Sequence, residues 1–480
     1  MNDRESDDSE SRFAAYVDGL ASVIGHKDRE GPLRDYCTGL MLPCERKSVE
    51  PMAALTAPHR TAAQHQSLLH FVGEGKWLDE VVLAKVREMV LPELERHGAI
   101  EAWIIDDTGF PKQGRHSVGV ARQYCGQLGK QDNCQVAVSL SLANHHASLP
   151  VAYRLYLPQD WADDPESRCK AGVPAEVEFK TKPEIALEQL RWACASGLPR
   201  GVGVFDASYG NYSAFRAEVT ALGMPYVAGI LSTTTVWAPG TAPLPAKKRR
   251  SGRGRPATRL RRDRKHRPLS VKTLALRQPA SAWQTITWRE GTAAPLSSRF
   301  VRLRVRPAHR DEKLTAPRLE EWLLIEWPAG EKGPTKYWLA TLPEDIDFAA
   351  LVDIAKLRWR IERDYQELKQ EVGLGHFEGR RWRGFHHHAT LCIATYGFLI
   401  SERETIPPSG LAATRRFEEL ALPASYRSRR ATAATRTPRP EFDRHHAPTP
   451  RSLSRQSPVT MSVLPSSLHT TLDAAKLMTQ

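Results

Sequence analysis

Arg358, Glu362 and Lys369 stand at relative positions 0, 4 and 11 of the stretch KLRWRIERDYQELKQEVGLGHFEGRRWR (356–383). At 100° per residue of α-helix they fall at about 0°, 40° and 20°, one narrow strip of surface. A carboxylate flanked along a helix by two cations suits a divalent metal beside a phosphodiester. The acid would hold the ion and the cations would hold phosphate oxygens. The same strip also describes a solvated face with i,i+4 ion pairing. Two upstream acids separate the readings. Asp107, or its neighbour Asp106, closes the apolar run AWIID (102–106), and Asp206 closes the apolar run GVGVFD (201–206). A strand-end aspartate alone is commonly a helix cap or turn former. Three carboxylates from separate elements suit hard cations with oxygen ligands, because ligands of open sheets bind beyond the carboxyl ends of strands.

Those acids need a scaffold, and the pattern along the chain supplies one. Residues 1–30 are acidic and polar, are expected to be disordered and carry no signal-peptide pattern. Residues 31–98 are amphipathic and helical. Over 99–231 the period changes to two, with strands at 102–106, 116–126, 133–144 and 151–158. A helix at 183–196, a strand at 201–206, a helix at 211–222 and a strand at 226–230 follow. The order indicates an α/β fold, a mixed sheet covered by helices. Residues 232–345 read as a β-rich basic insertion with Trp237, Trp283, Trp288, Trp322, Trp327 and Trp338. Residues 346–405 return to helix, with the apolar stripe Leu357, Ile361, Tyr365, Leu368 and Val372 and a buried helix from Phe385 to about Glu404. Residues 406–480 turn to Ser, Thr, Pro, Arg and Ala and are expected to be disordered.

Composition narrows the partner. The 480 residues are 41% hydrophobic and 26% charged, as in a soluble globular protein, and the run Ala389–Ile400 is too short to cross a bilayer. The seven cysteines are scattered without a CxxC pair, which fits a reducing cytoplasm. Net charge is +13, and 247–267 holds twelve Lys/Arg against one Asp. Such a block, including Lys247, Lys248, Arg249, Arg250, Arg253 and Arg255, binds phosphate backbones by counterion release, whether or not it is also a solvated loop. Nucleic acid is the expected partner, with no membrane. Gly252–Pro256 (GRGRP) resembles a short Arg-Gly core that lies in A·T minor grooves. His386, His387 and His388 point about 100° apart on a helix, so they cannot share one ion and are expected at the surface or on phosphate.

These residues give the chain its resemblance to a known family. IIDDTG around Asp107, GVFDASYGN around Asp206, and R-x3-E-x6-K as Arg358, Glu362 and Lys369 resemble the motifs of DD-E transposases of bacterial insertion sequences. The stretch GRHSVGVARQYCGQLGKQDNCQVAVSLSLAN is similar to one branch of the cut-and-paste group. The resemblance covers about residues 30–405. It implies a ribonuclease-H-like core with a β-strand insertion between the second Asp and the Glu. It implies two-metal phosphoryl transfer by Asp107, Asp206 and Glu362, with Mg2+ (or Mn2+) as cofactor. Arg358 and Lys369 would grip phosphates, and an insertion Trp, 338 or 322, would hold a flipped base. Double-stranded DNA (element ends and target) would be the partner of a homodimer, and the protein would be cytoplasmic and nucleoid-associated. The family's Asp–Thr step favours Asp107 over Asp106. The chain departs from the signature at Ala355, where the family has Tyr; Tyr365 is a candidate to supply a ring instead. A non-catalytic DNA-binding relative and a ribonuclease-H-type nuclease or resolvase are the competing readings.

Overall fold

The computed structural model describes residues 2–247, 257–289 and 295–405, with side chains from 8 onward, all within one compact unit, Met1–Arg427. A second unit, Ser428–Gln480, lies outside the described residues. Five helices come first: α1 (Asn2–Ala21), α2 (Glu30–Met41), α3 (Val49–Thr56), α4 (Thr61–Gly73) and α5 (Asp79–Glu95). Then come β1 (Ala102–Pro111), β2 (Ala121–Cys125), β3 (Lys130–Ala143) and β4 (Ser148–Leu155), and the helices α6 (Gln159–Ala162), α7 (Pro165–Ala171) and α8 (Lys182–Ala195). After β5 (Val202–Phe205), α9 (Ala207–Gly210), α10 (Ser213–Ala221) and β6 (Tyr226–Ile230), the insertion contributes β7 (Thr235–Trp237), β8 (Leu269–Ser270), α11 (Val271–Leu276), β9 (Gln284–Arg289), β10 (Leu296–Pro307), β11 (Glu321–Pro328) and β12 (Lys336–Ala340). The described chain closes with α12 (Phe348–Lys356), α13 (Trp359–Gln370) and α14 (Trp382–Thr405).

The fold is the expected α/β class, a mixed sheet flanked by helices in ribonuclease-H-like order. β4, β3 and β1 pair antiparallel, and β1, β5 and β6 pair parallel. The run GVGVF is apolar throughout because β5 lies between two parallel neighbours and beneath helices. Register decides where the acids go. Ile105 pairs with Phe205, the last residue of β5, while β1 continues to Pro111 beside β3 alone. Asp106 and Asp206 are each the next residue: Asp206 closes β5, whereas Asp106 lies within β1, which runs on past the expected end at 106, at the point where its parallel pairing with β5 stops.

One expectation about organisation changes. Residues 1–30 are not a disordered lead-in, since α1 spans most of them. Its Tyr16, Val17 and Leu20 are buried, and Phe13 meets Phe398 with ring centroids 5.0 Å apart. Arg12 reaches both carboxylate oxygens of Glu402 at 2.7 Å, and the Tyr16 hydroxyl donates to the Ala394 carbonyl at 2.8 Å. The polar surface of MNDRESDDSESR hid an apolar stripe that begins only at Phe13. The insertion, in turn, does not leave the sheet. β12 pairs with β6 through Tyr337↔Ile230 to Ala340↔Val227, and β11, β10, β7 and β8 follow outward in one twelve-stranded sheet. β6 is buried at every residue, and an uncovered edge there would leave its backbone groups unpaired.

The insertion also grips the helical return. Lys356, 8% exposed at the end of α12, places its ammonium 2.6 Å from both oxygens of Glu326 on β11, which is 2% exposed. The ring of Trp288 lies 4.3 Å from the ammonium, with Phe300 and Trp338 at 5.6 and 5.7 Å. A buried bidentate pair in an aromatic cage joins insertion strands to the residue two before Arg358.

α14 is the central helix, and it corrects the reading of the histidine run. His386 donates to the Trp382 carbonyl at 2.9 Å and accepts from the Leu155 amide at 3.2 Å. His387 stacks on Trp77 at 3.6 Å between the Val72 and Trp77 carbonyls. His388 meets the Tyr36 hydroxyl at 2.9 Å and the Gly373 carbonyl at 3.1 Å. His387 and His388 sit in the interior and His386 is half-buried, because other elements pack around α14, and each ring is taken up by protein partners. Burial pushes their pKa values down to about 4, 3 and 4, so they are neutral.

Two measurements probe these buried groups. Lys356→Met leaves Glu326 charged and unpaired in the interior and is expected to cost about 3–5 kcal/mol in chemical denaturation. The double variant Lys356→Met/Glu326→Leu should recover most of that loss. For His388, the unfolded chain takes up a proton near pH 6.5 that the folded chain refuses until about 4. Its contribution to stability is therefore present above pH 6.5 and falls by about 1.4 kcal/mol per pH unit as pH drops through that window. The stability gap between wild type and His388→Asn should narrow by that slope when unfolding is compared from pH 7 to pH 4.

Candidate active site

The helix expected from 356 begins at Trp359 and runs unbroken to Gln370, behind a separate helix. α12 ends at Lys356, Leu357 is its C-cap, and α13 begins at Trp359 with Arg358 in the N-cap position. Arg358 keeps helical backbone at the head of α13, and its side chain reaches both Glu362 one turn on and Asp106 on the sheet. Glu362 is in the first turn and Lys369 in the last. α13 is fixed from below: Asp364 accepts from the Ser148 hydroxyl at 2.5 Å and the Tyr396 hydroxyl at 2.9 Å, and the Tyr365 hydroxyl bonds Ser139 on β3. Tyr365 is thus a buried packing residue, not a ring offered to DNA. Ala355 is buried too, in the apolar cluster with Phe300 and Trp322.

Arg358 gathers the acids. Its guanidinium donates to Asp106 Oδ2 at 2.7 Å and to Glu362 Oε1. Burial opposes its charge, and the fields of Asp106, Glu362 and Asp206 more than offset that, raising its pKa. Asp206 caps α9, accepting from the Ser208 amide at 2.9 Å and hydroxyl at 2.5 Å, so the cap reading holds for it. Asp106 is 9% exposed, and its pKa is pushed up to about 7 by burial; Arg358 pulls it down while Asp206 and Asp107 push it further up. Glu362 is 61% exposed at its side chain, at the mouth of the cluster.

Asp107 points elsewhere. Successive strand residues face opposite sides of a sheet, and its Oδ2 accepts from Lys182 Nζ at 2.5 Å. Lys182 opens α8, where the Thr181–Glu184 capping box sets its direction. Asp106, Asp206 and Glu362 are drawn together around Arg358, whereas Asp107 is drawn to Lys182. Lys369 does not face open solvent: it donates to the Gly109 carbonyl at 2.7 Å and to Gln127 at 3.3 Å, and burial pushes its pKa down to about 8.

The donor set is made of carboxylate oxygens, the ligands of hard divalent cations. Burial, with Asp206 and Asp107 nearby, raises the pKa of Asp106 within it. In kind, the residues fit such an ion. Among the described residues, however, no three His, Cys, Asp or Glu side chains stand together closely enough to hold one as they are. Arg358 and Lys182 occupy the carboxylates instead.

Of the other predicted residues, Lys247 is exposed, and Lys248, Arg249, Arg250, Arg253 and Arg255 lie outside the described residues, as does Gly252–Pro256. The far end of the basic block is anchored rather than free. Leu260 is buried, Arg262 Nε donates to Asp311 at 2.9 Å, and His266 tilts against Trp237 at 4.7 Å. Trp322 is a core residue whose indole donates to the Pro343 carbonyl at 2.9 Å, and Trp338 lines the Lys356 cage. All seven cysteines are unpaired, and no described helix is long and apolar enough to cross a membrane. Sequence reasoning missed Lys182 and Glu326. The TKPE start of α8 was legible as a cap, but nothing local tied Lys182 to an aspartate 75 residues away.

Comparison with known proteins agrees with the geometry at the level of family. The probable transposase for insertion sequence element IS701 of Microchaete diplosiphon is 28% identical over 195 residues, 40% of this chain and 47% of the relative. The chain thus spans about half the length of that relative. The family described as DDE superfamily endonuclease matches residues 19–295, more than half of the chain, taking in both strand-end aspartates but stopping short of Glu362. By that match the chain belongs to the DDE superfamily endonucleases.

Proposed function

We propose that this endonuclease is a DNA transposase, cutting the ends of a mobile element and joining them to target DNA. The observation that carries the reading is Arg358 linking acids from β1 and α13 near Asp206, where the parallel pairing of β1 with β5 ends. Asp206, Glu362 and one acid of the Asp106–Asp107 pair would hold divalent ions, Mg2+ or Mn2+. The hydrogen bonds favour Asp106 in that role, while the resemblance favours Asp107. Such ions polarise a phosphodiester and lower the pKa of water at neutral pH. Arg358 and Lys369 exchange their present partners for phosphate oxygens, positioning the scissile strand without reading sequence. Double-stranded DNA is held through Lys247, Lys248, Arg249, Arg250, Arg253 and Arg255, and the working unit on DNA is a homodimer.

The carboxylates' present occupation by Arg358 and Lys182, together with Ala355, favours one second reading: a relative that binds DNA without cutting it. Cleavage decides between them. Asn caps a helix about as well as Asp, so Asp206→Asn removes charge while leaving thermal stability nearly unchanged. With Mg2+ and duplexes carrying the element's ends, wild type is expected to nick and Asp206→Asn to fall by at least about 100-fold. Asp106→Asn and Asp107→Asn in the same assay identify the third acid by which falls as far. Wild type that binds but never cuts establishes the second reading, and an Asp206→Asn that cuts normally removes Asp206 from catalysis.

The basic block makes a separate prediction. Replacing Lys248, Arg249, Arg250, Arg253 and Arg255 by Ser should weaken duplex binding at low salt. It should also flatten the plot of log affinity against log salt by about 0.9 for each phosphate no longer neutralised. An unchanged slope in fluorescence anisotropy takes these residues off the binding surface.

A further inference from the structure

The β2–β3 hairpin turns apolar surface outward: Tyr124 is 59% exposed and Leu128, in the turn, 41%. Neither stands on a loose tip. β2 pairs with β3 from Ala121↔Cys134 to Cys125↔Lys130, and the Leu128 amide closes the turn on the Cys125 carbonyl at 3.0 Å. The hairpin is pressed against β1 two residues beyond Asp107. A Cβ at Gly109 would stand 2.9 Å from the Cys125 sulfur and 3.3 Å from its Cα, so this approach needs glycine. Lys369 on α13 ties the two together, donating to the Gly109 carbonyl at 2.7 Å and to Gln127 in the turn at 3.3 Å. The tip is therefore fixed beside the strand that carries Asp106 and the helix that carries Glu362.

Positive charge accompanies the ring. Neighbouring strand residues face opposite sides, so Tyr124 shares a side with Arg122 and faces away from the buried Cys125. Asn133, across from Arg122, donates to the Lys112 and Gly114 carbonyls at 2.6 and 2.9 Å, which holds the exposed Arg115 beside the hairpin. Arg115 and Arg122 line one groove of about 490 Å³, whose acid, Asp132, is paired with Lys130 at 3.0 Å. Two guanidinium groups followed by an exposed ring match a single nucleic-acid strand, with cations for phosphates and a flat face for a base. Bases inside a duplex have their faces covered by neighbours, so such a ring takes up only a base that has left the stack.

We propose that the β2–β3 hairpin holds unpaired nucleotides of the DNA next to the acidic site, Tyr124 stacking on a base while Arg115 and Arg122 take phosphates of the same strand. This rests on the DNA-binding reading of the chain and is independent of which acids hold a cation. Stacking and charge read no base edge, so the hairpin grips a strand with little regard for its sequence.

The test uses the full chain without metal and two labelled DNAs in fluorescence anisotropy, a blunt duplex and the same duplex with a short unpaired oligothymidine tail. Wild type is expected to bind the tailed duplex more tightly. Tyr124→Ala should lose at least about fivefold on the tailed duplex, the loss of one stacked base, and nothing on the blunt one. Tyr124→Phe keeps the ring and should bind both as wild type does. Arg115→Ser/Arg122→Ser should flatten the salt dependence on the tailed duplex by about 0.7 for each phosphate released. Wild type that gains nothing from the tail, or a Tyr124→Ala that keeps the gain, overturns the proposal and leaves the DNA reading standing. Wild type that binds neither duplex removes that reading and the proposal with it. A Tyr124→Ala that melts well below wild type assigns the ring to the fold. One that binds both DNAs normally but changes the protein's mass in light scattering makes the hairpin a contact between copies of the chain. Either result also overturns the proposal.

Discussion

The guanidinium of Arg358 is the constraint on which the acidic site depends. Carboxylates from a strand and a helix cannot stand side by side in a half-buried crevice unless something offsets their repulsion, and Arg358 bonds Asp106 and Glu362 with Asp206 in its field. Arg358 sits at the break between α12 and α13 with helical backbone, one turn before Glu362, and from there its guanidinium reaches both Glu362 and Asp106 on β1.

What holds the break in place lies largely in the insertion. Lys356 is the last residue of α12, and its ammonium is locked by Glu326 and ringed by Trp288, Phe300 and Trp338. Asp364 and Tyr365 then seat α13 on β3, β4 and α14. The acidic site is thus supported from two sides, by insertion strands before Arg358 and by the core sheet after Glu362. The insertion belongs to the architecture of the site as well as to its surroundings.

Much of this was legible in the sequence. The strands ending near Asp106 and Asp206 declared themselves by apolar runs, and R-x3-E-x6-K carried the third element. What periodicity could not give was partner choice across distance. Asp106 and Asp107 are neighbours between which the resemblance chose Asp107, and it is the pleat that sends Asp106 towards Arg358 and Asp107 to Lys182. The histidine run read as polar because polarity is a local property, whereas α14 is surrounded by other elements that supply hydrogen-bond partners to each ring. The lead helix was missed because its first twelve residues are polar, and its burial depends on Phe398, Ala394 and Glu402 at the opposite end of the fold.

The unbroken ladder from β4 across β6 and β12 to β8 has a mechanical corollary. A module tethered by two loops can swing, but strands hydrogen-bonded edge to edge move as one plate. The outer strands therefore keep a constant offset from Asp106 on β1 and Asp206 at the end of β5. The fold itself acts as a ruler between the insertion and the acids.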